Sequence, residues 1–292
     1  MKAIPGASVQ TEPKSCFITQ LVDSFRFEDA KLPSLPSAVI YLEKAIRDDS
    51  VSLRQLADLL GKDPVLAARL IRVSNSAFYR SVSPVESVPE AVVRIGFAAT
   101  RNIALVLLQN SFKARHELVG SMINQLWTES LQTAAVASAL SQYYYLVDAN
   151  RAMLGGLMYN VGAMLLLTKI DEKVNEISNP MIINLMLKQH SQMFGMKLLE
   201  HWEMDPDLLQ VVANRDNWGR ETENSPDLAD LILVARCCIP GADGTEPDYD
   251  RCERLGSYSR LQTHMRRNQA LSAVVQEAQE TIEQTMALLG DD

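Results

Sequence analysis

At 292 residues the chain is long enough for two domains or one large one, and 47% hydrophobic with 22% charged residues is the composition of a globular protein with a substantial core. Its 28 basic and 36 acidic residues leave a net charge of -8, which opposes non-specific attraction to nucleic acid or anionic lipid and leaves only a local basic patch as a route to either. The longest apolar stretches, around Ile103–Leu108 and Met153–Leu167, are too short or too interrupted to span a bilayer, and the opening MKAIPGASVQ lacks the apolar run of a secretion signal.

Residues 1–16, polar with two prolines and a glycine, read as a flexible terminus. Phe17, Leu21, Val22 and Phe25 then recur at helical spacing. In Leu32-Pro33-Ser34-Leu35-Pro36 each proline biases its predecessor away from helix, so this segment is extended. Val39, Leu42, Ala45 and Ile46 mark an amphipathic helix that ends at Asp48-Asp49. Ser52 and Gln55 form a capping box for a second helix, closed by Gly61. Asp63 caps a third, with Pro64 at the first helical position, where its missing N–H costs nothing. Leu66, Leu70 and Val73 give that helix one apolar face. Ser74-Asn75-Ser76 end it by competing for its backbone bonds, and Ala77, Phe78 and Tyr79 anchor the chain beyond the bend.

The helix pair from Ser52 to Val73 also has the spacing of a helix-turn-helix DNA reader. Asp63, Pro64, Val65, Ala68 and Arg69 would then face the groove. Of these only Arg69 reads bases well, and Asp63 would oppose phosphate, so packing is the better reading.

Ser87 and Glu90 form a second capping box, for a helix that Gly96 closes, and Phe97–Phe112 follows as a helix apolar all round its centre, hence central. A long helix runs from Leu118 to Tyr145, and the closing Tyr143-Tyr144-Tyr145 is expected to half-bury its rings and keep its hydroxyls wet. Asp148 caps a helix from Ala149 to about Lys169. Gly155-Gly156 inside it costs about 1 kcal/mol per glycine against alanine, so some neighbour must approach that face closely. Asn179-Pro180 breaks the chain before a helix over Ile182–Trp202, Pro206 starts one through Ala213, and Ser225-Pro226 caps another carrying Leu228, Leu231, Ile232 and Ala235. Residues 240–257 read as a loop rich in Gly, Pro and Asp, and Asn268–Leu289 as a last helix that packs on the bundle or on a second copy of the chain. No strand is evident.

Cys16, Cys237, Cys238 and Cys252 form no Cys-x-x-Cys pair, and a bridge between the adjacent two would be strained. They read as reduced thiols of a cytoplasmic protein.

Asp63-Pro64, Ala67-Ala68-Arg69 and Asn75-Ser76-Ala77 followed by Tyr79 resemble the signature of the HDOD family. The Leu32–Pro36 element and the polar pair Arg101-Asn102 after Ile95-Gly96 are similar to that family too, and the resemblance extends from about Leu32 to about Trp218. It implies an all-α, multi-helical bundle like that of HD-type metal phosphohydrolases, in two helical lobes: residues 17–112, then a degenerate HD-like part over 113–239, with residues 240–292 packed outside. Asp63, Pro64, Asn75, Ser76, Arg101 and Asn102 are expected to be structural positions of the family, with Arg101 bonded to a carboxylate or to helix-end carbonyls.

HD phosphohydrolases hold divalent metal with a His-Asp pair in a Gly-Leu-Leu-His-Asp-Ile-Gly-like segment. This chain reads Gly156-Leu157-Met158-Tyr159-Asn160-Val161-Gly162, so the resemblance retains the frame and loses both ligands. Tyrosine titrates near pH 10 and an amide carries no charge to hold a cation. The outer positions fall on Glu129, in Trp127-Thr128-Glu129-Ser130, and on Asp216 and Asn217, after Arg215. The four histidines, His116, His190, His201 and His264, are scattered. No phosphate loop, Gly-x-Ser-x-Gly or His-Glu-x-x-His offers other chemistry.

The expectation is therefore a bacterial signal-transduction module without catalytic residues, metal or cofactor, whose partner is another signalling protein or a second copy, with no nucleic acid and no membrane. A divergent metal-dependent phosphohydrolase acting on nucleotides is the alternative, and the DNA reader comes third.

Overall fold

Ser52, Asp63 and Ser87 each hold a free N–H group at the start of a helix. The structure, a computed structural model, describes residues 32–47, 52–79, 83–144, 147–172, 179–221, 225–241, 244–265 and 269–289, so the expected flexible terminus and the helix over Phe17–Phe25 lie outside it. The chain divides after Pro33, and the helices below belong to the unit from Ser34 onward.

Helix α1 covers Ser37–Arg47, α2 Leu53–Leu60 and α3 Pro64–Ser74. Ser52 accepts from the Gln55 N–H at 3.4 Å, and Asp63 Oδ1 accepts from Val65 and Leu66 N–H at 2.9 and 3.1 Å. A short 3₁₀ turn, Ala77–Tyr79, follows the bend. Helix α4, Val88–Val106, is two helices joined at Gly96, whose φ of 81° and ψ of 164° are open only to glycine. The predicted stop is thus a kink, and the second half beyond it is buried. Helices α1 and α3 pack on α4.

Helix α5, Glu117–Leu140, is the long one. It stops short of the tyrosines, at Ser141, whose hydroxyl donates to the Ser138 carbonyl at 2.7 Å. Tyr144 corrects the expectation of a wet hydroxyl: its ring is 1% exposed, its OH has no partner, and burial pushes its pKa up.

The helix expected over Ala149–Lys169 is also two, α6 over Ala149–Met158 and α7 over Val161–Asp171, broken at Tyr159-Asn160. Helices α8 (Pro180–His201) and α9 (Pro206–Ala213) follow as read. Helix α10, Leu228–Cys237, is capped by Asp227 in a reciprocal box with Asp230, not by Ser225. The expected loop over 240–257 holds α11, Tyr249–Glu253, and the start of α12, Gly256–Gln262. The last helix breaks at Ala278 into α13, Leu271–Glu277, and α14, Gln279–Leu289. Among the described residues there is no strand, only an isolated bridge between Tyr144 and Met265.

Helix α5 is the axis on which α6, α7, α10 and α14 pack, while α7 lies along α8 and α9 sits between α8 and α10. Glycines make two of these approaches possible. A Cβ at Gly156 would overlap the Thr133–Ala134 backbone of α5, and one at Gly162 would overlap the Ser191 carbonyl and Gly195 of α8. Two stretches, Val88–Gln109 and Ala149–Asp171, are long and apolar enough to cross a membrane because each joins two shorter helices; 67% and 83% of their most apolar windows are buried inside the protein.

The cysteines give a further correction. Cys237 and Cys252 form a disulfide with Cα atoms 5.7 Å apart, tying α10 to α11, and Cys238 is a free, buried thiol. Cys252 lies 15 residues beyond Cys237 in sequence, on α11.

Candidate functional site

The break between α6 and α7 is where tertiary bonds replace helical ones. Gly156 seats α6 on α5, so the chain reaches Tyr159 and Asn160 in the protein interior, 1% and 0% exposed. Asn160 donates its side-chain amide to the Leu126 carbonyl of α5 at 3.0 Å, while its Oδ1 and the Tyr159 hydroxyl have no partner.

Two arginines stand beside this pair. Arg236, from α10, lies over the Tyr159 ring at 4.6 Å and over the Trp218 ring at 4.8 Å. It also donates to the Arg215 carbonyl and lies 3.5 Å from Asp216 Oδ1. Arg215, in the turn after α9, has a side chain only 11% exposed, and its Nε is 3.6 Å from Asp216 Oδ2, too far for a good hydrogen bond. Burial pushes the Arg215 guanidinium below its ordinary pKa; Asp216, Tyr159 and Glu129 oppose that and Arg236 adds to it. A guanidinium stays charged under such pressure.

Of the positions expected to mark an old metal site, Tyr159, Asn160 and Asp216 are brought together around Arg236. Tyr159 and Asn160 are buried, Asp216 lies beside both Arg215 and Arg236, and Glu129 favours the charged form of Arg215. Glu129 accepts from Gln125 at 3.1 Å. Asn217 is exposed and donates to Asn214 at 3.2 Å, so it belongs to its own turn. The residues do not fit a metal: the two central groups are neutral, and the nearby charges include two fixed cations. Among the described residues no group of three or more His, Cys, Asp or Glu could hold an ion. His116 pairs instead with Asp171 at 3.0 Å and His264 with Thr263 at 2.8 Å.

Arg236 and Trp218 were missed in the sequence. The available signal was charge: in LADLILVARC only Asp230 and Arg236 are charged, and an apolar helix carries such groups inward only with partners. Asp230 has them in Arg220, Arg260 and Ser257.

The signature positions lie elsewhere. Asp63 and Pro64 cap α3. Asn75 is bonded to Val85 through both side-chain heteroatoms. The Ser76 hydroxyl is buried without a partner. Arg101 reaches Glu43 of α1 at 3.2 Å and Asn102 at 3.1 Å, and Asn102 donates to the Asn150 carbonyl of α6 at 2.9 Å. Arg69, the base reader of the DNA hypothesis, is 4% exposed and donates to the Leu289 carbonyl at 3.3 Å.

The profile of the HDOD domain matches residues 32–218. An uncharacterized protein of Treponema pallidum (strain Nichols) is 23% identical over 266 residues, 84% of this chain and 49% of that protein. The chain thus spans about half the length of that curated relative. Among solved structures, the fold is similar to a candidate metal-dependent phosphohydrolase from Shewanella amazonensis SB2B, with 21% identity, 95% and 99% of the two chains covered and a TM-score of 0.74. An HDOD domain protein of unknown function from Geobacter sulfurreducens has 18% identity, coverage of 94% and 98% and a TM-score of 0.68. A candidate signal transduction protein from Marinobacter aquaeolei VT8 has 18% identity, coverage of 97% and 68% and a TM-score of 0.60. At these identities the likeness is one of fold.

Proposed function

The chain belongs to the HDOD domain family, and on that premise we propose that it is a non-catalytic signalling module that acts by binding another protein. The observation that carries this reading is the pair of arginines beside Tyr159 and Asn160. A divalent cation at that place would meet the Arg236 guanidinium over the Tyr159 ring, with Arg215 next to it and the single Asp216 carboxylate shared between the two, in a region of low dielectric where such repulsion is strong. A fold that keeps its helices and gives up its metal chemistry is left with recognition. The name of the Marinobacter aquaeolei protein supports signalling as the setting. Met181 and Leu185, 80% and 44% exposed and one turn apart on α8, offer apolar surface for a partner or a second copy of the chain. A cytoplasmic setting belongs to this reading, and there the Cys237–Cys252 bond would be open to reduction.

The competing enzyme reading has the fold likeness to a candidate phosphohydrolase in its favour. Metal content of the purified chain, a phosphodiesterase assay on nucleotides and affinity capture from native cytoplasm separate the two. The expected result is no stoichiometric transition metal, no turnover and a captured signalling protein. Bound metal with turnover would establish the enzyme in its place.

A further inference from the structure

The arginine cluster has more donors than it uses. Nε and Nη1 of Arg215 have neither accessible surface nor a hydrogen-bond partner, and the Tyr159 hydroxyl is in the same state. An unsatisfied buried donor is costly, more so when charged, and three at one site are not what packing alone would select. Asp216 is positioned between the guanidiniums but serves neither well, at 3.6 Å from Arg215 Nε and 3.5 Å from Arg236 Nη2, and its side chain is 44% exposed. A third cation borders the site: Arg251 lies 5.7 Å from the centre of the Trp218 ring that Arg236 also covers. The disulfide joins the residues that follow these two arginines, Cys237 and Cys252, so it holds both near one ring.

Planar guanidiniums with free N–H groups match the oxygens of a tetrahedral anion, and stacking on aromatic rings fixes their orientation in advance. We propose that this cluster binds an oxyanion of the phosphate class, which takes the place of the Asp216 carboxylate between Arg215 and Arg236 and accepts from the Tyr159 hydroxyl. Asp216 acts as the resident competitor: on an exposed turn it can swing into solvent, opening the route by which the anion enters.

Inorganic phosphate and a nucleoside monophosphate share this chemistry and are tested separately. Each is titrated into the full chain at constant ionic strength, with chloride as control, by calorimetry and by tryptophan fluorescence, to which Trp218 should respond. Saturable binding is expected, weakened about tenfold or more in Arg215→Gln and Arg236→Gln. Asp216→Asn, on the surface and without risk to the core, should bind several-fold more tightly. Equal behaviour of the two probes assigns recognition to the phosphoryl group alone, and a preference for the nucleotide adds a base or sugar contact. The proposal is overturned if neither probe binds saturably to the parent or to Asp216→Asn, if Asp216→Asn leaves affinity unchanged, or if folded arginine variants bind as the parent does.

Discussion

Asn75 holds Val85 the way a second strand would: its amide donates to the Val85 carbonyl at 2.8 Å, and its oxygen accepts from the Val85 N–H at 2.7 Å. The two bonds close the chain over the bend after α3 and set the direction in which α4 begins. Asn75→Ala removes both and leaves the Val85 backbone, in a side chain position 3% exposed, without partners. A loss of about 2 kcal/mol is expected in urea unfolding. Asn75→Asp keeps the acceptor alone and should fall between the two. An unchanged midpoint for Asn75→Ala would remove the structural role assigned here.

Gly156 is a position of contact, not of conformation. A Cβ there would meet the α5 backbone at Thr133 and Ala134, which cannot rotate aside as a side chain would. Gly156→Ala should therefore separate α6 from α5 and cost about 1–3 kcal/mol or more. Gly219→Ala, with nothing within 4 Å, is the matched control and should leave the melting temperature nearly unchanged.

Such features differ in how far the sequence announces them. Caps are local: Ser52, Asp63 and Asp148 act on neighbours within a turn, so those residues were enough to place helix starts, whereas the stop expected at Gly96 is a kink within α4. The break at Tyr159-Asn160 was illegible because apolar residues continue in phase on both sides, while the bonds that stabilise the interruption come from Leu126 and Arg236, far along the chain. The Gly155-Gly156 pair did announce a close neighbour, but not which helix supplied it. Glu129 and Asp216 were placed by likeness to a family pattern. The charges beside them were not, because Arg236 reaches the site only through the packing of α10.

Burial alone would raise the pKa of Asp171, but the N–H groups of Arg115 and His116 and the His116 ring favour its charged form, and the net value lies below the ordinary one. The sign follows: stabilisation is present above the unfolded pKa of about 4 and is lost as pH falls through the folded value. Asp171→Asn should cost about 1–2 kcal/mol near neutrality and flatten the acid side of the stability curve below about pH 4. Urea midpoints taken between neutral pH and about pH 3 test both parts.

The Cys237–Cys252 bond closes a sequence separation of 15, for which loop entropy gives about 3 kcal/mol. Reductant, or Cys252→Ser without it, should lower the denaturation midpoint by a corresponding amount. Thiol labelling of the unfolded parent without reductant should leave Cys237 and Cys252 unmodified. Labelling of both would mean that the bond does not form.

Rebuilding the metal motif should not rebuild an enzyme. Tyr159→His with Asn160→Asp installs a His-Asp pair in a glycine frame that brings α6 onto α5 and α7 onto α8. The surroundings have changed in a way that opposes it. Asn160 donates to the Leu126 carbonyl, and a carboxylate in its place would turn an acceptor toward an acceptor. The Tyr159 ring faces the Arg236 guanidinium at 4.6 Å, and an imidazole there either loses that attraction or, once protonated, repels the arginine. Metal ligands also need partners that orient them, and the nearby turn supplies Arg215 where such a partner would stand. The double variant should be less stable than the parent by about 2 kcal/mol or more, having buried ionisable groups without a cation to satisfy them. Thermal melting with and without manganese or zinc is the measurement, beside a phosphodiesterase assay on a nucleotide. Little response to metal and no turnover are expected. A sharp metal-dependent rise in melting temperature accompanied by turnover would mean that Arg215 and Arg236 yield to a cation, and that the site is dormant and not converted.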